Sequence, residues 1–186
     1  METLFAKQDR LLLLTSTEII RTLMHRINWD AQLVAIRGPR GVGKTTLMLQ
    51  YMKLHYEVYS REVLYCTLDS VYFSNHTLLE LADVFVKNGG KHLFLDEVHK
   101  YPTWSKEIKE VYDMYPDLKV VFSASSLLNI LNADADLSRR CIPYEMQGLS
   151  FREFLLFYKQ MSFPVCTLEE VLTSPEKICS EVNKVC

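Results

Sequence analysis

Apolar residues along this chain alternate between two patterns, short consecutive runs and longer stretches at helical spacing. Ile19, Ile20, Leu23 and Ile27 share one face, which predicts a helix over residues 15–28 with Thr15, Ser16 or Thr17 as its cap. Gln32–Ile36 is a short apolar run that stops at Gly38 and reads as a buried strand. Lys44–Tyr56 is rich in helix formers, with Leu47, Met48, Tyr51 and Met52 at helical spacing. Glu62–Leu68 predicts a second strand, and Thr77–Lys87 a helix closed by Asn88-Gly89-Gly90. Lys91–Leu95 predicts a strand ending in Asp96-Glu97, followed by an amphipathic helix over Thr103–Tyr115 that stops before Pro116. Leu118–Phe122 is a further apolar run, ending in Ser123-Ala124-Ser125-Ser126, with a helical stretch expected after it. Arg140–Met146 reads as another strand and Phe151–Tyr158 as a helix, with Ser150-Phe151-Arg152-Glu153 as its capping box. After about residue 163 the pattern is lost. Strands alternating with helices predict an α/β fold, a mainly parallel sheet covered by helices on both faces. The strands are apolar at consecutive positions, as doubly covered strands are.

Composition narrows the picture. At 186 residues the chain can bury one sizeable core, and 48% hydrophobic with 24% charged residues is ordinary for a globular domain. A net charge of -2 gives no general electrostatic pull toward nucleic acid or anionic lipid. The longest aliphatic run, Leu11–Leu14, is far too short to span a bilayer, and METLFAKQDR has no features of a signal peptide. Five widely spaced cysteines without a Cys-x-x-Cys pair argue against a disulfide framework or a zinc site. The five histidines show no ligand spacing with them, and a cytoplasmic setting with reduced thiols is expected.

The candidate chemistry starts at GPRGVGKTT, residues 38–46, which holds three of the six glycines. Gly38, Gly43, Lys44 and Thr45 satisfy G-x-x-x-x-G-K-[ST], the phosphate-binding loop, with a buried strand leading in and a helix leading out. A polyphosphate is met there by backbone N–H groups, and glycine lets the backbone turn inward and approach closely. Residues Gly38, Pro39, Arg40, Gly41, Val42, Gly43, Lys44, Thr45 and Thr46 are therefore expected to cradle ATP at the positive end of the following helix. Lys44 is expected to reach the β- and γ-phosphates, and Thr45 to place its hydroxyl on Mg²⁺.

The run HLFLDE adds two carboxylates at a strand end. Asp96 suits the Mg²⁺ shell and Glu97 suits polarisation of the attacking water. The hydroxyls of Ser123 and Ser125 suit either the γ-phosphate and lytic water or a helix cap. Arg139-Arg140 is either a solvated basic pair or a source of positive charge for phosphoryl transfer. In the second role, Arg140 would act in its own site or in that of a neighbouring copy within a homo-oligomer. Trp104, two residues after Pro102, is expected to fix how the helix leaves the acidic strand end. Asp69 is expected to be an exposed turn residue.

Taken together, GPRGVGKTT, HLFLDEVHKYPTWSKEIKEVY, LKVVFSASS, LSRR and GLSFREFL resemble the AAA-type ATPase domain of a large bacterial and archaeal family within the AAA+-related group. The resemblance covers roughly residues 15 to 160. It implies the three-layer P-loop NTPase fold and an ATPase, with Walker A at 38–45 and Walker B at Asp96 and Glu97. It also implies a sensor-like polar group at Ser123 or Ser125, with Arg140 as the matching later arginine. Two positions depart from the family pattern: Ser123-Ala124-Ser125 stands for the usual Thr-Gly-Ser, and Arg139 for the usual glycine. Members usually continue into a C-terminal domain, so this chain is expected to be a piece of such a protein. Residues 1–163 are expected to form the ATPase domain and 164–186 an irregular or partly helical tail. The expected activity is hydrolysis of ATP to ADP and phosphate by a switch or motor domain. A nucleotide-binding module with little turnover and a P-loop phosphotransferase are the alternatives. Nothing in the residues names a protein or nucleic-acid target.

Overall fold

A computed structural model describes residues 1–124, 137, 139–162, 166–173, 176 and 180. The chain divides into two units, Met1–Ser150 and Phe151–Cys186. The first holds β1 (Leu33–Arg37), β2 (Val63–Thr67), β3 (His92–Asp96), β4 (Lys119–Ala124) and β5 (Ile142–Glu145). These form one five-stranded sheet in the order β2-β3-β4-β1-β5. Every pairing is parallel. The fold is the α/β P-loop NTPase fold that the sequence predicts.

Period-2 alternation explains the three layers. Leu33 and Ala35 of β1, with Leu93, Leu95, Val120 and Phe122, point into one buried cluster with α3 (Leu78–Lys87) and α4 (Trp104–Met114). Val34, Ile36, Phe94 and Val121 point into a second cluster on the other face, against α2 (Lys44–His55). Strands β1 to β4 are buried on both faces, which is why they read as continuous apolar runs, whereas the edge strand β5 is largely exposed. Helix α3 begins on a capping box, Thr77 with Glu80. Trp104 opens α4 with its ring 5.6 Å from that of Phe122, so the helix leaves the acidic strand end packed onto β4. Asp69 is exposed, as expected.

One sequence expectation needs correction. The amino-terminal helix is α1, Glu2–Leu14, and it ends where the sequence predicts a helix to begin. Residues 15–28 carry instead one 3₁₀ turn, Thr22–His25, because tertiary partners take their backbone carbonyls. Gln50 of α2 donates to the carbonyls of Ser16 and Ile19 at 2.8 and 2.9 Å, and Lys53 to that of Thr15 at 2.7 Å. Met24, Ile27 and Trp29 still bury their side chains, so the apolar spacing reported core contact rather than helix. Beyond residue 163, Leu168–Thr173 forms a short helix, α6. Its cap is a Thr-x-x-Glu box, with the Glu170 amide on Thr167 Oγ1 at 3.2 Å and the Thr167 amide on Glu170 Oε2 at 2.7 Å. The second unit also holds α5, Phe151–Lys159. The helical stretch expected after residue 126 lies outside the described residues.

Helix α1 also deals with an exposed sheet edge. The buried Gln8 side chain donates to the Val63 carbonyl at 3.3 Å and accepts from the Tyr65 amide at 2.7 Å. One side-chain amide thus stands in for a neighbouring strand along β2, satisfying groups that would otherwise template pairing with another chain.

At the amino-terminal end of β3, the buried His92 shares a 2.7 Å hydrogen bond between its Nδ1 and the Tyr56 hydroxyl. Burial pushes the imidazole down to about 3, with Lys119 adding to the effect. The folded chain therefore keeps His92 neutral where the unfolded chain takes up a proton. This stability is complete above the ordinary histidine value of 6.5 and is lost progressively as pH falls from there toward 3. Urea unfolding at stepped pH should show a loss approaching about 1.4 kcal/mol per pH unit from this group. The non-titrating His92→Asn variant should have a correspondingly shallower slope. Identical slopes would show that another group controls the acid transition.

Candidate functional site

The site is built where β1, β3 and β4 end. Residues 38–43 leave β1 and turn directly into α2, whose amino terminus is capped by Gly43 at φ 97°. At this angle an L side chain is strained, so glycine is required. Gly38, at φ 151°, is required for a second reason. A Cβ there would lie 2.1 Å from the carbonyl oxygen of Met146, just past β5. The Met146 amide in turn donates to the Arg37 carbonyl at 2.7 Å, extending the β1–β5 pairing by one step. The loop is therefore laid directly on backbone.

Lys44 opens α2 and is nearly buried, at 6% exposure. Its Nζ donates to the carbonyls of Gly38 and Pro39, both at 2.8 Å, and so crosses the loop. Burial lowers its pKa, while the negative charges of Asp96 and Glu97 oppose that shift. Thr45 follows, and its hydroxyl donates to Asp96 Oδ2 at 2.5 Å.

Asp96 ends β3 at 3% exposure and gathers a shell of hydroxyl donors. Besides Thr45, Oδ2 accepts from the Tyr65 hydroxyl at 2.8 Å. Oδ1 accepts from the fully buried Ser123 hydroxyl, in a short hydrogen bond, and from the Glu97 amide at 3.0 Å. Burial first, then the charge of Asp96, raises the Tyr65 pKa, so this phenol keeps its proton and remains a donor. Strand order explains the convergence. β4 lies between β1 and β3, so its terminal Ser123 sits between the loop and the acid.

Glu97 is the next residue and adopts the left-handed conformation, φ 55° and ψ 39°. This is a strained state for a non-glycine residue. Its Oε2 lies 3.7 Å from the Arg40 guanidinium and 3.5 Å from His99 Nε2. Arg40 rides on the loop, while His99 sits in the 3₁₀ turn Val98–Lys100 after β3.

The structure thus brings together Gly38, Pro39, Arg40, Gly43, Lys44, Thr45, Asp96, Glu97 and Ser123. It does not bring Arg140 to them. Arg140 precedes β5, at the opposite end of the strands, roughly 15 Å away at strand rise. There it donates through Nε to Asp113 Oδ1 at 3.0 Å, near the end of α4. A role for Arg140 in its own chain's cluster is therefore corrected, because an ion pair with α4 holds it at the far edge. Ser125 lies outside the described residues.

Sequence reasoning missed Tyr65, His99 and Met146. Tyr65 had a readable signal, since a phenol in the doubly covered run Glu62–Leu68 needs a buried partner. His99 and Met146 act through position alone and carried no such mark.

Among the described residues no three His, Cys, Asp or Glu side chains are grouped as a metal cage. The oxygen donors of Thr45 and Asp96 suit a hard divalent cation that takes its other ligands from phosphate and water. The cluster and the fold define a nucleotide-binding P-loop domain. The family model described as AAA domain matches residues 30–155, and the chain belongs to that family. Two relatives are uncharacterized proteins of Methanocaldococcus jannaschii. MJ1637 is 26% identical over 79% of this chain, and MJ1544 is 28% identical over 68% of it. The chain spans 32% and 29% of their respective lengths. Among solved structures, C. elegans PCH-2 superposes with a TM-score of 0.48 at 13% identity, over 78% of this chain and 42% of that one. No helix among the described residues is long and apolar enough to cross a membrane.

Gly38→Ala separates close approach from conformational strain. Its Cβ meets backbone, so the substitution should cost about 1–3 kcal/mol in urea unfolding. Gly41→Ala, with φ 80° but nothing within 4 Å of a Cβ, should cost about 1 kcal/mol from strain alone. Equal losses would mean that the loop is not seated on Met146.

Proposed function

We propose that this domain binds ATP with Mg²⁺ and hydrolyses it to ADP and phosphate as a switch domain. The observation that carries the reading is the 2.5 Å bond from Thr45 Oγ1 to Asp96 Oδ2. It joins the first turn of α2 to the end of β3, so the two oxygens that would hold a divalent cation are already side by side. Membership of the AAA-domain family supports the nucleotide, and the oxygen donor set supports the ion.

In this reading, backbone N–H groups of residues 39–45 and the amino terminus of α2 receive the phosphates. Lys44 exchanges its two loop carbonyls for phosphate oxygens. Thr45 and Asp96 would hold the ion, which would supply positive charge to offset that of the transferred phosphoryl group. Tyr65 and Ser123 hold the Asp96 carboxylate from either side and fix its orientation. Glu97 orients the attacking water and accepts its proton. Arg40 and His99 flank that carboxylate, so each reports on whether Glu97 has turned toward the water. Arg140 has no part in its own chain's reaction here.

Lys44→Ala should weaken Mg²⁺-ATP binding by about 100-fold in titration calorimetry, the scale of a lost charge-assisted contact. Glu97→Gln should keep nucleotide affinity and lower phosphate release by about 10²–10⁴-fold. Turnover of Glu97→Gln at the parent rate would remove Glu97 as the base. A thermal shift with Mg²⁺-ATP but no phosphate release from the parent would reduce the function to nucleotide binding.

A further inference from the structure

Arg21 lies outside the cluster just described, in the segment between α1 and β1, yet its guanidinium reaches the phosphate loop. Its NH1 donates to the Val42 carbonyl at 2.8 Å, and its NH2 to the carbonyls of Gln147 and Gly148 at 3.0 and 3.1 Å. The planar fork thus bonds the loop on one side and the backbone after β5 on the other.

We propose that Arg21 is a positioning residue of the phosphate loop, fixing the Val42–Gly43 peptide so that the Gly43 N–H faces the polyphosphate. The inference rests on the phosphate reading of the loop. Two facts carry it. First, the peptide is trans, so its C=O and N–H point in opposite directions. A guanidinium holding the Val42 carbonyl from outside the loop therefore turns the Gly43 N–H inward. Second, the residue on the carboxyl side of this peptide is Gly43, at φ 97°, the residue type with the greatest backbone freedom. That glycine permits the inward turn and equally permits its reversal, and Arg21 selects one orientation.

Arg21 is itself well held. Gln50 fixes the carbonyls of Ser16 and Ile19 before it, and the Met24 amide bonds to the Arg21 carbonyl at 3.0 Å. The Asn28 amide bonds to the Tyr144 hydroxyl on β5 at 2.9 Å. One guanidinium thus serves Val42 and residues 147–148 together.

The test uses the whole chain with two probes, Mg²⁺-ATP and inorganic tripolyphosphate, which has no base. Arg21→Ala should weaken both by the same factor, about tenfold for a lost charge-assisted contact. Added methylguanidinium should restore affinity in Arg21→Ala and leave the parent unchanged. Arg21→Lys, a point donor without the fork, should fall between parent and Ala, and it carries the test if Arg21→Ala does not fold. Deuterium exchange at residues 146–150 should slow on tripolyphosphate binding in the parent and not in Arg21→Ala. Parent-like affinity of Arg21→Ala for both probes overturns the clamp and leaves the phosphate reading standing. Loss for ATP alone would make Arg21 a nucleoside contact and also overturns it. A parent chain that binds neither probe removes the phosphate reading, and the clamp falls with it.

Discussion

The hydroxyl of Thr45 and the carboxylate of Asp96 meet across the gap left by an intervening strand, and the arrangement of the domain follows from that contact. Asp96 is almost fully buried. A carboxylate taken out of water is costly unless it is hydrogen-bonded. Here four donors from four places in the chain compensate it: Thr45 on α2, Tyr65 on β2, Ser123 on β4 and the following amide of Glu97. Two of those places, β2 and β4, lie beside β3 because the sheet is ordered as it is. Moving any one strand by a register step would turn its donor to the other face.

The loop depends on the same contact from the other side. Thr45 is fixed only if α2 starts where it does, and α2 starts where Gly43 can take a left-handed turn. Close seating of Gly38 on Met146 then ties the loop to β5, the strand farthest from Asp96 on this side of the sheet. The site is thus spread over the full width from β2 to β5, although its reactive groups lie within a few ångströms. Binding and catalytic groups on loops are precise only when rigid elements hold the loop ends, and here the strand ends supply that rigidity.

Much of this was legible in the residues. Strands β1 to β4 and the described helices between residues 30 and 124 fall where apolar runs and helical spacing put them, because doubly covered strands and amphipathic helices write burial directly into sequence. Gly38, Lys44, Thr45, Asp96 and Glu97 were legible because phosphate chemistry demands particular residue types at fixed spacing. The amino-terminal segment was misread for a physical reason. Ile19, Ile20, Leu23 and Ile27 do have helical spacing, but Gln50 and Lys53 bind the carbonyls a helix would need, and those partners lie some thirty residues away. The role of Arg140 stayed open in the sequence, because charge near a motif says nothing about which end of a strand it occupies. Tyr65 was hidden in plain view, its hydroxyl masked by the apolar character of its strand.

The two ends of the sheet also divide the polar work. At the amino-terminal end, His92 is held neutral by burial beside Tyr56, within a ring cluster in which Tyr51 stacks on Trp29 at 4.0 Å. Nothing there asks for charge, and keeping it out of the core is what that cluster achieves. At the carboxyl-terminal end, charges are packed closely: Lys44 beside Asp96 and Glu97, with Arg40 over the loop. The left-handed turn of Glu97 lies at this second end. The neutral ring cluster thus lies where the strands begin and the charged cluster where they end. A parallel sheet allows that separation because all its strands end on one side.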